Sequence, residues 1–157
     1  MNKVLSPEEA IQLAIKLNQE SKRIVLAGGC FDILHIGHIT YLEEAKKQGD
    51  VLFVFVENDQ SIKKAKGSTR PINTQSDRTQ ILAHLYMVDY VIKLAETTNY
   101  DELVTKIKPA IIAATKGDPN RSHKERQAKQ IGAKVVDVTS QVSNQSTTKL
   151  ISILNEI

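Results

Sequence analysis

The chain has 157 residues, 41% hydrophobic and 25% charged, the profile of one globular domain large enough to bury its own core. A net charge of +3 and a pI near 8.9 suit anionic small molecules but are too weak to argue for nucleic acid, and aromatics at 4% with no Trp leave no base-stacking platform. The one cysteine, Cys30, excludes an intramolecular disulfide framework and fits a reducing cytoplasm. No apolar leader is apparent, and the longest apolar run, Val51 to Val56, is far too short to cross a bilayer, so no membrane partner is expected.

Ser6-Pro7-Glu8-Glu9 is a helix start, with Ser as N-cap, Pro at the first position and acids in the first turn. Ala10, Ile11, Leu13, Ala14 and Leu17 form its apolar stripe, so residues 1–22 are expected to lay a helix against the body. Arg23 to Ala27 predicts a buried strand, and Gly28-Gly29 frees the backbone for a tight turn and for close approach to a ligand. A helix follows from Gly37 to Gln48, with Ile39, Leu42 and Ala45 at helical spacing and Gly49 as its left-handed cap. Val51 to Val56 is continuous and apolar, as in a parallel strand buried on both faces, so strand–helix–strand makes a βαβ unit.

A short helix to about Ala65 leads into a cationic loop, Lys63 to Asn73, that follows a parallel strand's C-terminal end. The next helix opens at Thr74, with Ile81, Leu82 and Leu85 inward. Val88 to Ile92 is the third strand, Asn99 to Lys108 a helix ended by Pro109, and Ala110 to Ala114 the fourth strand. A helix from His123 to Ile131 is closed by Gly132; Lys134 to Val138 is the fifth strand. Gln145 opens the last helix, whose Leu150, Ile151, Ile153 and Leu154 are expected to face inward. The alternation predicts a single α/β domain over residues 1–157: a Rossmann-like, doubly wound, parallel five-stranded sheet with helices on both faces.

The chemistry concentrates at Gly28-Gly29-Cys30-Phe31-Asp32-Ile33-Leu34-His35-Ile36-Gly37-His38. Imidazoles three apart face one side where a helix begins, and a helix N-terminus offers free N–H groups and partial positive charge to an anion. The pattern predicts a phosphate cradle with His35 and His38 as donors. Cys30 reads as a small packed residue between strand and turn rather than a nucleophile.

At these residues the sequence resembles the nucleotidylyltransferase superfamily, whose signature is His-x-Gly-His after a Gly-x-Phe-Asp turn. The wider text Gly-Cys-Phe-Asp-Ile-Leu-His-x-Gly-His is most similar to the adenylyltransferases that make ADP-heptose from a heptose 1-phosphate. The resemblance implies nucleotidyl transfer from a nucleoside triphosphate, ATP by preference, to a sugar phosphate. It places Gly29, Cys30, Phe31, Asp32, His35, Gly37 and His38 at the nucleotide. A Lys-Gly-x-x-Arg-Pro-x-Asn stretch occurs in the same family at the place of Lys66 to Asn73, which favours Lys66 and Arg70 as phosphate clamps, with Lys66 joining His35 and His38 in catalysis. Arg78 matches an arginine that can support the phosphate site. Lys116, Gly117 and Asp118 match a nucleotide-side loop, although one Gly stands where the family has two and Pro119 where it has Tyr. Asp118 and Arg121 are either ligands or the turn and first charge before a helix. Ser146, Thr147 and Thr148 match a Ser-Thr-Thr stretch that holds phosphates, and are also a helix-capping device.

Mg²⁺ is expected on the substrate phosphates, with few or no protein ligands. The resemblance further implies a homodimer. The alternatives are a cytidylyltransferase acting on glycerol 3-phosphate or another polyol phosphate, and a non-catalytic nucleotide-binding module.

Overall fold

A computed structural model describes residues 2–140 and 146–154. In chain order the elements are β1 (Val4–Leu5), α1 (Pro7–Gln19), β2 (Ile24–Gly29), α2 (Ile36–Lys46), β3 (Val51–Val56), α3 (Asp59–Lys66), α4 (Gln75–Ala83), β4 (Tyr90–Lys93), α5 (Tyr100–Ile107), β5 (Ile111–Lys116), α6 (Arg121–Ile131), β6 (Lys134–Ser140) and α7 (Thr147–Leu154). Local signals set most boundaries. Ser6 and Glu9 close a capping box on α1, and Asn58, Thr74 and Asn99 cap α3, α4 and α5 through their side chains. Gly132, at φ 73°, ends α6 in the left-handed conformation.

The sheet is parallel throughout, in the order β1-β4-β3-β2-β5-β6. The parallel α/β architecture agrees with the sequence reading, but there are six strands, not five. The additional one is β1, two residues paired with Val91 and Ile92 of β4. Two residues carry no periodicity, and β1 is fixed instead by long-range contacts. The Lys3 ammonium donates to the Leu85 and Val88 carbonyls at 3.1 and 2.7 Å.

Alternate residues of the central strands feed two cores. Val25, Ala27, Leu52, Val54 and Val56 face Tyr41, Leu42 and Ala45 of α2 and Leu82 of α4. Ile24, Leu26, Phe53 and Phe55 face Ala10 and Ala14 of α1, Leu103, Val104 and Ile107 of α5 and Ala128 of α6. Burial on both faces is why β2 and β3 are uninterrupted apolar runs. The chain winds outward from β2 through β3 to β4, then crosses back to β5 on the other side of β2. Such a reversal opens a crevice at the carboxyl ends of the strands.

Three expectations need correction. Ile81 is 43% exposed, whereas Leu82 supplies the buried contact of α4. Ile153 and Leu154 of α7 are 48% and 64% exposed rather than inward. The expected start of that helix at Gln145 lies outside the described residues. Gly49 is not a left-handed cap, because α2 ends at Lys47 in ordinary helical geometry. Gly49 is instead a point of close approach. A Cβ there would lie 2.6 Å from the Arg23 carbonyl and 2.7 Å from Val25 Cγ2. Among the described residues no helix is long and apolar enough to cross a membrane.

Because the Arg23 carbonyl is backbone and cannot swing away, Gly49→Ala is expected to destabilise the fold by about 1–3 kcal/mol, the usual range for overpacking, read as a lowered urea midpoint at unchanged slope.

Candidate active site

Because every strand is parallel, the loops after β2, β3 and β5 meet at one edge of the sheet. The loop after β2 carries the histidine motif. Phe31 adopts φ 48°, a conformation uncommon outside glycine that persists only where surroundings hold it. Its ring lies 5.3 Å from that of His38. His35 is the N-cap of α2 and offers no side-chain cap bond, so its imidazole is left for the cleft. The His35 and His38 rings stack with centroids 3.9 Å apart and planes 27° apart. Burial lowers both pKa values. For His38 the nearby His35 and the Lys66 ammonium add to burial and bring it to about 4, against a weaker opposing backbone hydrogen bond at Ile33. The pair is therefore neutral at pH 7.

Each ring leaves a nitrogen without a partner. His35 Nδ1, His38 Nδ1 and Arg70 Nη2 are buried and have no hydrogen-bond partner among the described residues. Buried polar atoms are rarely left this way, since each costs about 1–3 kcal/mol. Three such nitrogens around one loop suit the oxygens of an anion.

Asp32 organises the surrounding wall. Its side chain is fully buried. It accepts from Arg70 Nε at 2.7 Å, from the Ile72 N–H at 2.9 and 3.0 Å and from the Asn73 N–H at 2.9 Å. Asn73 Nδ2 returns a bond to the Asp32 carbonyl at 2.6 Å. Burial alone would push this carboxyl up; the Asn73 and Ile72 amides and the Arg70 guanidinium outweigh it and hold the carboxyl below its ordinary 3.8. Sequence reasoning placed Asp32 on the nucleotide and Arg70 on a phosphate. The structure binds each to the other, leaving Arg70 Nη2 as the free donor and Asp32 as a latch between two loops.

Arg78 is held by the protein itself. It is completely buried, donating to the carbonyls of Cys30, of Glu57 at 2.8 Å and of Asn73 at 3.1 Å, and to Asp59 at 2.7 Å. It ties the ends of β2 and β3 to the start of α3 and has no exposed surface. Lys66 ends α3 exposed, followed by Gly67 at φ 98°. Burial first and Glu57 second push the Cys30 thiol up, and Lys66 opposes them, so Lys66 stands beside both Cys30 and His38. A thiol held protonated agrees with the packed rather than nucleophilic reading of Cys30.

The start of α7 reaches the same loop. Thr147 is buried and its Oγ1 donates to the Ile33 carbonyl at 3.2 Å, while Ser146 Oγ caps the Lys149 N–H at 3.1 Å and Thr148 is exposed. After β5, Lys116 and Gly117 are exposed, Gly117 at φ 79°. Asp118 is engaged by the Asn120 N–H at 2.8 Å and by Lys124 at 2.7 Å, and Arg121 is paired with Glu125 and Asp137. These bonds hold Asp118 in the turn after β5 and Arg121 in the first turn of α6. Gly29 and Gly37 complete the motif loop, where a Cβ on Gly29 would crowd the Phe31 ring at 3.2 Å.

A cavity of about 330 Å³ adjoins this cradle, between Gly28 and Gly29 on β2, Glu57 after β3, Tyr100 of α5 and Asp118 and Lys124 beyond β5. The sequence reading missed it, along with Glu57 and Tyr100. The signal available was Gly28: a Cβ there would lie 2.8 Å from Tyr100 Oη.

The family model described as cytidylyltransferase-like matches residues 26–153. The chain belongs to the cytidylyltransferase-like family. It is thus a nucleotidyltransferase. The bifunctional protein HldE of a Nitratiruptor species is 46% identical over 91% of this chain and 30% of its own length. That of Aliarcobacter butzleri is 53% identical over 67% of this chain and 22% of its own. The chain thus spans less than a third of these curated relatives. A solved structure of a lipopolysaccharide core biosynthesis protein from Thermoplasma volcanium is 31% identical, with a TM-score of 0.64, covering 76% of this chain and 97% of its own. A pantoate–β-alanine ligase from Francisella tularensis, 16% identical at a TM-score of 0.62 over 99% of this chain and 77% of its own, shares the fold.

Asp32→Asn keeps the volume and removes the charge that balances buried Arg70, so it is expected to cost about 3 kcal/mol at neutral pH. Because the folded carboxyl lies below 3.8, its contribution is present above that value and lost as pH falls through it. The stability gap between wild type and variant, measured by urea unfolding, is therefore full at neutral pH and shrinks in strong acid.

Proposed function

We propose that the protein transfers a nucleoside monophosphate from a nucleoside triphosphate, ATP by preference, to a heptose 1-phosphate or a close sugar phosphate, releasing pyrophosphate. The observation that carries this is the stacked, neutral His35–His38 pair with unpartnered buried nitrogens at the carboxyl edge of a parallel sheet. The likeness to the two HldE proteins supports the heptose class of acceptor.

In this reading a phosphate oxygen of the acceptor attacks the α-phosphorus in line and pyrophosphate leaves. The attacking oxygen is already anionic, so no protein nucleophile or strong base is required. The chain's residues position the reactants and offset charge as it develops on the phosphoryl oxygens. His35 and His38 donate from the motif side, and Lys66 and Arg70 Nη2 from the loop side. Ser146, Thr147, Thr148 and the first N–H groups of α7 hold the phosphate tail, and Lys116-Gly117-Asp118 borders the nucleoside. No group of three or more His, Cys, Asp or Glu converges among the described residues. Mg²⁺, arriving with the triphosphate, would supply neutralisation of phosphate charge, with Lys66 and Arg70 adding to it from the protein. The protein works in the cytoplasm, as a homodimer, which sedimentation would test.

Pyrophosphate release measured with ATP and with CTP, over heptose 1-phosphates, hexose 1-phosphates and glycerol 3-phosphate, is expected to be fastest with ATP and a heptose 1-phosphate. A preference for CTP and a polyol phosphate would make it a cytidylyltransferase, and nucleotide binding without release a silent module. His38→Ala is expected to lower kcat on the order of a hundredfold or more with the fold intact; near-wild-type turnover contradicts the scheme. In an NMR titration, the free-protein midpoint of His38, about 4, is expected to move upward once a triphosphate analogue supplies negative charge beside the ring.

A further inference from the structure

The cavity beside the cradle differs from it in chemistry. The cradle presents unspent donors and the free cation Lys66. The cavity presents acceptors and hydroxyl-type partners. The Glu57 carboxylate contacts only the Cys30 thiol, at 3.6 Å, and no cation among the described residues pairs with it. The Tyr100 hydroxyl makes no hydrogen bond among the described residues, and its ring stands edge-on to Phe55 at 5.2 Å. Asp101, Asn120, His123 and Gln127 complete the polar lining, with the Gln127 amide nitrogen donating to Asp101 at 2.7 Å. The cavity's lysine, Lys124, is spent on Asp118 at 2.7 Å and the Ala113 carbonyl at 2.9 Å.

These observations limit the occupant. With its lysine neutralised and Glu57 unpaired, the cavity disfavours phosphate, which the cradle attracts. With the Tyr100 ring packed on Phe55, it offers no open aromatic face for a base. At about 330 Å³ it sits at the small end of ligand pockets. An unpaired carboxylate and a phenol lining one small cavity suit vicinal hydroxyls, which donate to the one and exchange hydrogen bonds with the other. Gly28 keeps the passage open, since any side chain there would meet Tyr100 Oη. Glu57 lies at the junction, reaching the cavity on one side and Cys30 on the other.

We infer that this cavity takes the hydroxyl-bearing carbon skeleton of the acceptor while its phosphate lies toward Lys66 and the histidines, and that Glu57, with Tyr100, is the residue that selects it. The inference rests on the sugar phosphate reading above and adds where the sugar lies and what reads it. Glu57 carries specificity; the histidines and Lys66 carry the chemistry.

The test is steady-state pyrophosphate release by the full chain with ATP and either heptose 1-phosphate or glycerol 3-phosphate. Glu57→Gln is expected to raise KM for the heptose phosphate about tenfold or more, the effect of losing a hydrogen bond to a charged group. KM for ATP is expected to stay within about twofold, and the preference for heptose over glycerol to narrow. Tyr100→Phe, which keeps the Phe55 packing, is expected to move the acceptor KM in the same direction. An unchanged acceptor KM in both variants, or a shift confined to ATP, overturns the inference and leaves the transferase reading standing. If wild type releases no pyrophosphate with any sugar phosphate, the transferase reading fails. Calorimetry with heptose 1-phosphate and a non-hydrolysable ATP analogue then decides the inference. Weaker binding by Glu57→Gln supports it; equal binding, or none to wild type, overturns it.

Discussion

The site depends on one buried ion pair. Asp32 belongs to the loop after β2 and Arg70 to the loop after α3, 38 residues later, yet carboxylate and guanidinium meet at 2.7 Å with almost no solvent on either. A pair removed from water recovers its desolvation cost only when the remaining lone pairs and protons are satisfied. Here the carboxylate also accepts from the Ile72 and Asn73 amides, and the guanidinium keeps its Nη2 without a partner among the described residues. Asp32 thereby holds the left-handed Phe31 turn, and with it the histidine helix, in register with the cationic loop. Phosphate chemistry needs donors held before the ligand arrives, because donors that must reorganise lose their electrostatic advantage.

Arg78 extends the same logic by another route. With no exposed surface and bonds to three carbonyls and a carboxylate, it satisfies the Cys30 and Glu57 carbonyls just beyond the paired ends of β2 and β3. Cations near the site thus divide into those committed to architecture, Arg78 and the Nε of Arg70, and those left for ligand, Lys66 and Arg70 Nη2. The adjoining cavity has its own lysine neutralised by Asp118. Charge is sorted along the cleft, donors at the motif end and acceptors at the Glu57 end.

Much of this was legible in the sequence, and the remainder was not for identifiable reasons. Continuous apolar runs such as Val51 to Val56 announce doubly covered strands, and Ser6, Thr74, Asn99 and Gly132 mark helix ends through bonds made within a few residues. The histidine motif could be placed because strand, glycine turn and helix follow each other directly. Partner choice is different. Nothing local to Asp32 says that its acceptors are consumed by residues 70 to 73, or that Arg78 points inward. A short-range signal can also mislead: Gly49 sits where a cap glycine belongs, yet it is needed because β2's entry passes against it. The helical spacing that put Ile153 and Leu154 inward carries no information on whether a neighbour lies on that side. Glu57 was passed over because a carboxylate at a strand end is ordinary until the cavity beside it is seen.

The two-residue strand β1 has a bearing on behaviour in a crowded solution. β4 is short and apolar, and without a neighbour its outer edge would expose backbone N–H and C=O groups, the template on which separate molecules grow intermolecular sheets. Val4 and Leu5 occupy that template, and the Lys3 side chain closes the end of the seam on the Leu85 and Val88 carbonyls. A few residues remote from the cleft therefore blunt the protein's tendency to self-associate through this edge, and keep it dispersed at concentrations where a bare β4 would recruit its own kind.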